Sequence, residues 1–335
     1  MTRDEQIAVL GAGAWGTALA TVLARAGRRV TLCVRRREHL AALDAARENA
    51  AYLAGVRLPD NLRLTADWPA AVSASDVIVM AVPSRHARAA ISPLAASIRK
   101  PTLIVNAVKG LEADTMMTMT GMLSDVLGAD AALAVLSGPG FAAEVARGKA
   151  AALVAAGRDE ATARRAREIF ANRALRVYSS TDVTGVEIGG SAKNVIAIAA
   201  GASDGLELGA GARAAVITRG LAEIMRLAAA AGGRRETVAG LSGLGDLVLT
   251  CTGELSRNHA AGLALGRGER VRTDADDTGH SVAEGIVNAK AVRNLAGRLG
   301  VEMPITDAVY RALYEGRPAN IMVEELLSRD PKAEF

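Results

Sequence analysis

Residues 7–35 read IAVLGAGAWGTALATVLARAGRRVTLCVR, and the fold follows from this stretch. The apolar run Ile7–Leu10 has the length and composition of a buried strand. Gly11-Ala12-Gly13-Ala14-Trp15-Gly16 follows at once, and Trp15–Ala26 carries a helical pattern. A second apolar run, Val30–Val34, completes a strand–helix–strand unit. In that setting each glycine of a G-x-G-x-x-G has a task. Gly11 allows the tight turn, Gly13 lets a pyrophosphate approach the backbone, and Gly16 lets helix and strand pack closely. The helix N-terminus offers N–H groups and partial positive charge to phosphates. The stretch therefore reads as a dinucleotide half-site. Without its flanking strand and helix it would be only a Gly/Ala-rich turn.

The end of the second strand bears on the cofactor. NAD-preferring sites place an acidic residue there to hold the ribose 2′-hydroxyl. This chain has Arg35-Arg36-Arg37 instead, and an arginine there meets a 2′-phosphate. Arg35 and Arg36 are candidate contacts, NADPH is the expected cofactor ahead of NADH, and Arg37 reads as a solvated turn residue.

Further strand-like runs are Val77–Val82, Leu103–Ala107, Leu133–Leu136, Ala152–Ala155 and Arg176–Tyr178, with a helical pattern at His86–Ile98 among them. Near-continuous apolar strands alternating with helices indicate a doubly wound α/β parallel sheet covered on both faces. After Ser180 the spacing becomes helical, over Gly185–Gly201, Ala212–Ala231, Ala283–Leu299 and Thr306–Tyr314. Residues 1–180 are expected to form a Rossmann-type dinucleotide-binding domain and residues 181–335 an all-α substrate and catalytic domain. No tandem repeat interrupts this, and Asp274–Gly279 reads as a polar loop.

Composition removes several function classes. The 335 residues carry a net charge of +4, with acidic and basic residues interspersed, and only 3% are aromatic. That is neither the basic footprint nor the stacking surface of a nucleic-acid-binding protein, whereas a local positive site for an anionic substrate suits it. Ile7–Ala24 is uncharged and follows Arg3, as a signal peptide or membrane span would. However, Asp4 and Glu5 spoil a positive leader, and Gly and Ala keep the run's hydrophobicity low. The expectation is a cytoplasmic protein with no membrane span. Cys33 and Cys251 stand in unrelated contexts, with no metal-ligand spacing and no disulfide framework.

Polar clusters then stand out from an Ala-rich background. Val108-Lys109-Gly110 and Ser137-Gly138-Pro139-Gly140-Phe141-Ala142 lie at strand carboxyl ends, where open α/β sheets bind ligands. Lys193 and Asn194 sit inside a helix of Ala, Ile and Val. A lysine there is either a surface charge or a buried, paired group suited to passing a proton to a carbonyl oxygen. Gly243-Leu244-Gly245-Asp246 places a carboxylate among glycines, and Arg257 of Ser256-Arg257-Asn258 has the fork geometry for phosphate. As a set, these residues describe a phosphorylated carbonyl substrate beside a nicotinamide.

GAGAWGTALA, NAVKGLE, SGPGFAAE, GGSAKNVIAI, GLGDLVLTCT, SRN and VAEG occur in that order over nearly the whole chain. In this the chain resembles the bacterial NAD(P)-dependent glycerol-3-phosphate dehydrogenases. The resemblance implies a C-terminal domain like that of 6-phosphogluconate dehydrogenase. It implies reversible hydride transfer between NADPH or NADH and dihydroxyacetone phosphate, giving sn-glycerol 3-phosphate for phospholipid synthesis, and a homodimer is expected. By the same resemblance Lys193 is the proton donor and acceptor, Lys109 a second lysine touching substrate and cofactor, and Asp246 the carboxylate that orients Lys193. Ser256, Arg257 and Asn258 form the phosphate clamp, Asn194, Gly138 and Gly140 lie on the substrate side, and Ala14, Trp15, Arg35, Ala142, Arg257, Val282 and Glu284 contact the cofactor. The family usually has Ser or Thr where this chain has Gly140, so any contact there comes from backbone or water. Two other readings stay open at this point: a β-hydroxyacid dehydrogenase acting on a carboxylate, and an NADPH sensor without chemistry.

Overall fold

The computed structural model describes residues 5–98, 101–273 and 283–330. The chain forms two compact units, residues 1–112 with 117–187, and residues 113–116 with 188–335. Val282 and the expected polar loop Asp274–Gly279 lie outside the described residues.

Among the described residues the first unit holds ten strands: β1 (Gln6–Leu10), β2 (Arg29–Cys33), β3 (Glu48–Asn49), β4 (Leu53–Arg57), β5 (Arg63–Thr65), β6 (Val77–Met80), β7 (Leu103–Asn106), β8 (Ala132–Ser137), β9 (Ala151–Gly157) and β10 (Leu175–Ser180). β3 and β4 pair as a separate hairpin, and the other eight form one sheet in the order β10-β9-β8-β7-β6-β1-β2-β5. The chain runs outward from β1 through β2 to β5, then returns to pair β6 with the other side of β1. That reversal is the topological switch point where such sheets bind ligands.

The alternation expected of strands buried on both faces is explicit. Ile7, Val9, Val77 and Val79 pack with Leu19, Leu23, Ile169 and Phe170 on one face of the sheet. Their neighbours Ala8, Leu10, Ile78 and Met80 pack with Ile91, Leu94, Met119 and Met122 on the other. Helices Ala14–Arg25 and Glu160–Phe170 thus cover one face, while Ala87–Ile91 and Met119–Leu127 cover the other.

Two expectations need correction. The sheet is not wholly parallel, because β9 runs antiparallel to β8. The connection between them holds only the short helix Ala142–Ala146, so the chain turns back instead of making a full crossover. The helix expected at His86–Ile98 is three pieces: a 3₁₀ turn at Ser84–His86, an α-helix at Ala87–Ile91 and a 3₁₀ segment at Ser92–Ser97. Pro93 lacks the N–H that a continuous helix would need.

Among its described residues the second unit is helical, built around the part of helix Val183–Gly205 from Ile188 onward, Gly209–Ala230, Arg257–Gly266, Glu284–Arg298, Pro304–Tyr314 and Ala319–Leu327. Glycine lets two of these helices touch backbone to backbone. A Cβ on Gly201 would lie 2.0 Å from the His259 carbonyl oxygen, and one on Gly262 would lie 2.0 Å from that of Ile198. No described helix is long and apolar enough to cross a membrane.

Candidate functional site

In the first unit the glycine turn is built as its spacing requires. Gly11 has φ +108°, and a Cβ there would sit 2.9 Å from the Ala81 carbonyl oxygen in the loop after β6. A Cβ on Gly16 would lie 2.0 Å from the Gly11 carbonyl oxygen. Only residues without side chains allow these approaches. Gly13 differs, since a Cβ there meets nothing within 4 Å. Gly13 starts the helix Ala14–Arg25 and provides no side-chain cap. Trp15 follows, with its Nε1 buried and meeting no hydrogen-bond partner. Open space over a bare helix N-terminus fits a pyrophosphate group.

Arg35 and Arg36 are exposed at the end of β2, and Arg36 Nη2 lies 3.5 Å from Tyr52 Oη. Behind them stands a residue that the sequence reading did not single out. The Asn49 Nδ2 donates to the Ala12 carbonyl (2.9 Å) and to Thr17 Oγ1 (2.8 Å), and His39 Nε2 lies 3.1 Å from Asn49 Oδ1. This buried amide ties the glycine turn to the β3–β4 hairpin. Its one sequence signal is a polar residue amid apolar neighbours at Asn49–Leu53.

Lys109, Trp15, Gly138 and Gly140 come together in the same unit. Lys109 Nζ donates to the Gly138 carbonyl (2.9 Å) and stands 5.7 Å from the Trp15 ring centre. Gly140 faces Trp15 as well, since a Cβ there would lie 3.7 Å from the ring and 3.1 Å from Val145 Cγ2. Ala142 opens the short helix Ala142–Ala146 and packs in the apolar cluster that includes Trp15.

In the second unit Lys193 and Asp246 are 5% and 1% exposed. Lys193 Nζ donates to Asp246 Oδ1 (2.6 Å) and to Thr250 Oγ1 (2.6 Å). The Thr250 hydroxyl in turn donates to the Asp246 carbonyl (2.6 Å). The local fold makes this possible. Leu241–Gly245 is a π-helical turn leading into the helix Asp246–Thr252. A Cβ on Gly189 would lie 3.2 Å from the Ser242 carbonyl oxygen, so helix Val183–Gly205 lies close against that turn. An ammonium out of water is tolerable only when paired and hydrogen-bonded, and this one is both. Thr250, within the GLGDLVLTCT run, completes this arrangement. Its signal is its place one helical turn after Asp246.

A second polar set lies in the same unit. Asn258 Nδ2 donates to Asn194 Oδ1 (2.9 Å), and Asn258 Oδ1 accepts from the Gly285 N–H (2.9 Å). Glu284 starts that neighbouring helix, and its charge reaches Arg257, which is exposed. Ser256 is the N-cap of helix Arg257–Gly266, its Oγ accepting from His259 N (3.2 Å). His259 Nε2 and Arg213 Nη1 each lie 2.8 Å from Asp204 Oδ2. Burial pushes the Asp204 pKa up, but these two partners outweigh it and hold the carboxyl below its usual range. Both cysteines are buried, and burial pushes each thiol up to about 12, so neither is a nucleophile near neutral pH.

Comparisons with known proteins agree over the full length. The family description "NAD-dependent glycerol-3-phosphate dehydrogenase N-terminus" matches residues 6–163, and its C-terminus counterpart matches residues 182–324. The chain is 48% identical over 335 residues to glycerol-3-phosphate dehydrogenase [NAD(P)+] of Geobacter sulfurreducens, covering 99% of each chain. It is 50% identical over 333 residues to the protein of that name from Halorhodospira halophila, covering 98% of each. The crystal structure of glycerol-3-phosphate dehydrogenase from Coxiella burnetii superposes with a TM-score of 0.92 at 40% identity, over 97% of this chain and 99% of that one.

Proposed function

The chain belongs to the NAD-dependent glycerol-3-phosphate dehydrogenase family, and on that premise we propose that it catalyses the reversible reduction of dihydroxyacetone phosphate to sn-glycerol 3-phosphate with NADPH or NADH. The observation that carries the reading is the buried Lys193–Asp246 pair with Thr250. An ammonium held by a carboxylate and a hydroxyl is a proton source for the alkoxide that forms when a carbonyl is reduced.

Residues 1–180 are the dinucleotide-binding domain and residues 181–335 the helical substrate and catalytic domain. Gly11, Gly13, Ala14, Trp15 and Gly16 hold the dinucleotide phosphates, with Ala142, Arg257, Val282 and Glu284 as further contacts. Arg35 and Arg36 favour the 2′-phosphate, so NADPH is the preferred form. The bound nicotinamide supplies the hydride. Lys193 gives a proton to the carbonyl oxygen and takes it back in the reverse direction, while Asp246 sets its orientation. Lys109 adds positive charge near that oxygen. Arg257, Asn258, Asn194 and the Ser256 turn fix the phosphate, with Gly138 and Gly140 on the substrate side. Binding energy far from the reacting carbon thereby aligns it. The product feeds glycerophospholipid synthesis in the cytoplasm, and the protein works as a homodimer without nucleic-acid or membrane partners.

Phosphate recognition separates this reading from a reductase of carboxylate substrates. Offered dihydroxyacetone phosphate beside a carbonyl acid of similar size, the protein reduces the phosphate ester. Arg257→Ala raises its KM roughly ten- to a hundredfold, the scale of a lost charged hydrogen bond, with kcat less affected. Preferential reduction of the acid, or an unchanged KM, overturns the assignment.

A further inference from the structure

Glu187 has no part in the chemistry above, yet it is among the most elaborately held side chains of the first unit. It is 4% exposed, and its carboxylate meets groups from two separate elements. Oε1 accepts from Asn106 Nδ2 (2.9 Å) and from the backbone N–H of Thr120 (2.9 Å), while Oε2 accepts from the Thr120 hydroxyl. Thr120 lies in the first turn of helix Met119–Leu127, where backbone N–H groups favour a negative charge. Burial drives the carboxyl upward in pKa, and the bonds from Thr120, Thr118 and Asn106 pull it back.

Asn106 carries the connection onward. It is the last residue of β7, fully buried, and its Oδ1 accepts from the Val108 N–H (3.0 Å). The next residue is Lys109, which reaches Gly138 and stands over Trp15. A bond network thus runs from the Glu187 carboxylate through one buried amide to the backbone that launches Lys109.

We propose that Glu187 is a positioning residue for Lys109, fixing through Asn106 and the start of helix Met119–Leu127 the backbone turn from which Lys109 reaches Gly138 and Trp15. The importance of this for turnover rests on the role proposed for Lys109, but the placement itself does not. A merely structural Glu187 would affect stability and leave Lys109 where it is.

Trp15 supplies a readout that needs no substrate. The chain has two tryptophans, so Trp68→Phe leaves Trp15 as the only indole emitter. In that full-length background, Lys109→Ala defines the emission of Trp15 without its ammonium. Glu187→Ala and Asn106→Ala are expected to move the emission toward that value. Glu187→Gln keeps an acceptor for both N–H groups and is expected to restore the parent emission. Glu187→Ala also lowers kcat/KM by about tenfold or more, since small misplacements of a site group are costly. Added to Lys109→Ala it costs less than about twofold, because residues acting through one another are not additive. Should Glu187→Ala fail to fold, Asn106→Ala carries both measurements. Parent-like emission in the alanine variants, or losses that multiply in the double variant, overturns the proposal. If emission follows Glu187 in a protein that does not reduce dihydroxyacetone phosphate, the positioning stands and the proposed function falls.

Discussion

Around Gly11–Gly16 the first unit offers bare backbone, with open space above Gly13 and no side-chain cap on the helix that follows. Around Lys193 the second unit offers charged side chains sealed from water, the ammonium and its carboxylate 5% and 1% exposed. One region prepares for its ligand by removing side chains, the other by burying them in pairs. The contrast suits the proposed division of labour. A pyrophosphate needs N–H groups and room, whereas proton transfer needs a group whose surroundings are settled before substrate arrives.

Lys193→Ala separates the two regions most strongly. Turnover of dihydroxyacetone phosphate is expected to fall about 10²–10⁴-fold, the usual worth of a placed acid–base group. NADPH affinity, measured by fluorescence titration, stays nearly constant because the glycine turn is untouched. Near-normal turnover would remove Lys193 from the chemistry.

A second carboxylate in the helical unit marks how special the lysine pairing is. Glu223 is 2% exposed and caps helix Pro304–Tyr314, accepting from the N–H groups of Ile305 (2.7 Å) and Thr306 (3.2 Å). Burial pushes its pKa from 4.5 up to about 7, against the pull of those bonds. The folded-state value is raised, so its stability contribution is full below the unfolded value and is lost as pH rises through the folded one. The loss amounts to about 3 kcal/mol across that window. Glu223→Gln should flatten that part of the stability–pH curve, as read by denaturant midpoints. An unchanged slope would mean that Glu223 is already ionised throughout.

The glycines test the other side. Gly16→Ala should cost about 1–3 kcal/mol of stability, because its Cβ is forced into the Gly11 carbonyl. Gly13→Ala should leave the melting temperature unchanged and weaken NADPH binding by about tenfold, or 1.4 kcal/mol. Equal effects at the two positions would contradict the assignment of the space over Gly13. The smallest effect belongs to the exposed arginines. Arg35→Ala and Arg36→Ala should raise the KM for NADPH about three- to tenfold and leave that for NADH alone.

The same contrast explains what could be read from the sequence. The glycine turn is local. Strand, turn and helix lie within 30 residues of chain, and the close approach at Gly16 is to the Gly11 carbonyl of the same turn, so the motif announces itself. The strands β1, β2, β6 and β7 were legible as apolar runs for the same reason. β5 was not, because Arg63–Thr65 is a three-residue edge strand with no run to detect. The antiparallel turn of β9 was hidden too, since an apolar run carries no direction. In the helical half, residue types marked Lys193, Asp246 and Asn258, but their pairing joins positions more than fifty residues apart. Thr250, Asn49 and Glu187 escaped because each looks ordinary locally and gains its role from a distant partner.

The decisive measurement incubates the purified chain with NADPH and dihydroxyacetone phosphate while following loss of the reduced nicotinamide and identifying the product. One sn-glycerol 3-phosphate should form for each NADPH consumed. No consumption with either NADPH or NADH, or a product other than sn-glycerol 3-phosphate, would contradict it.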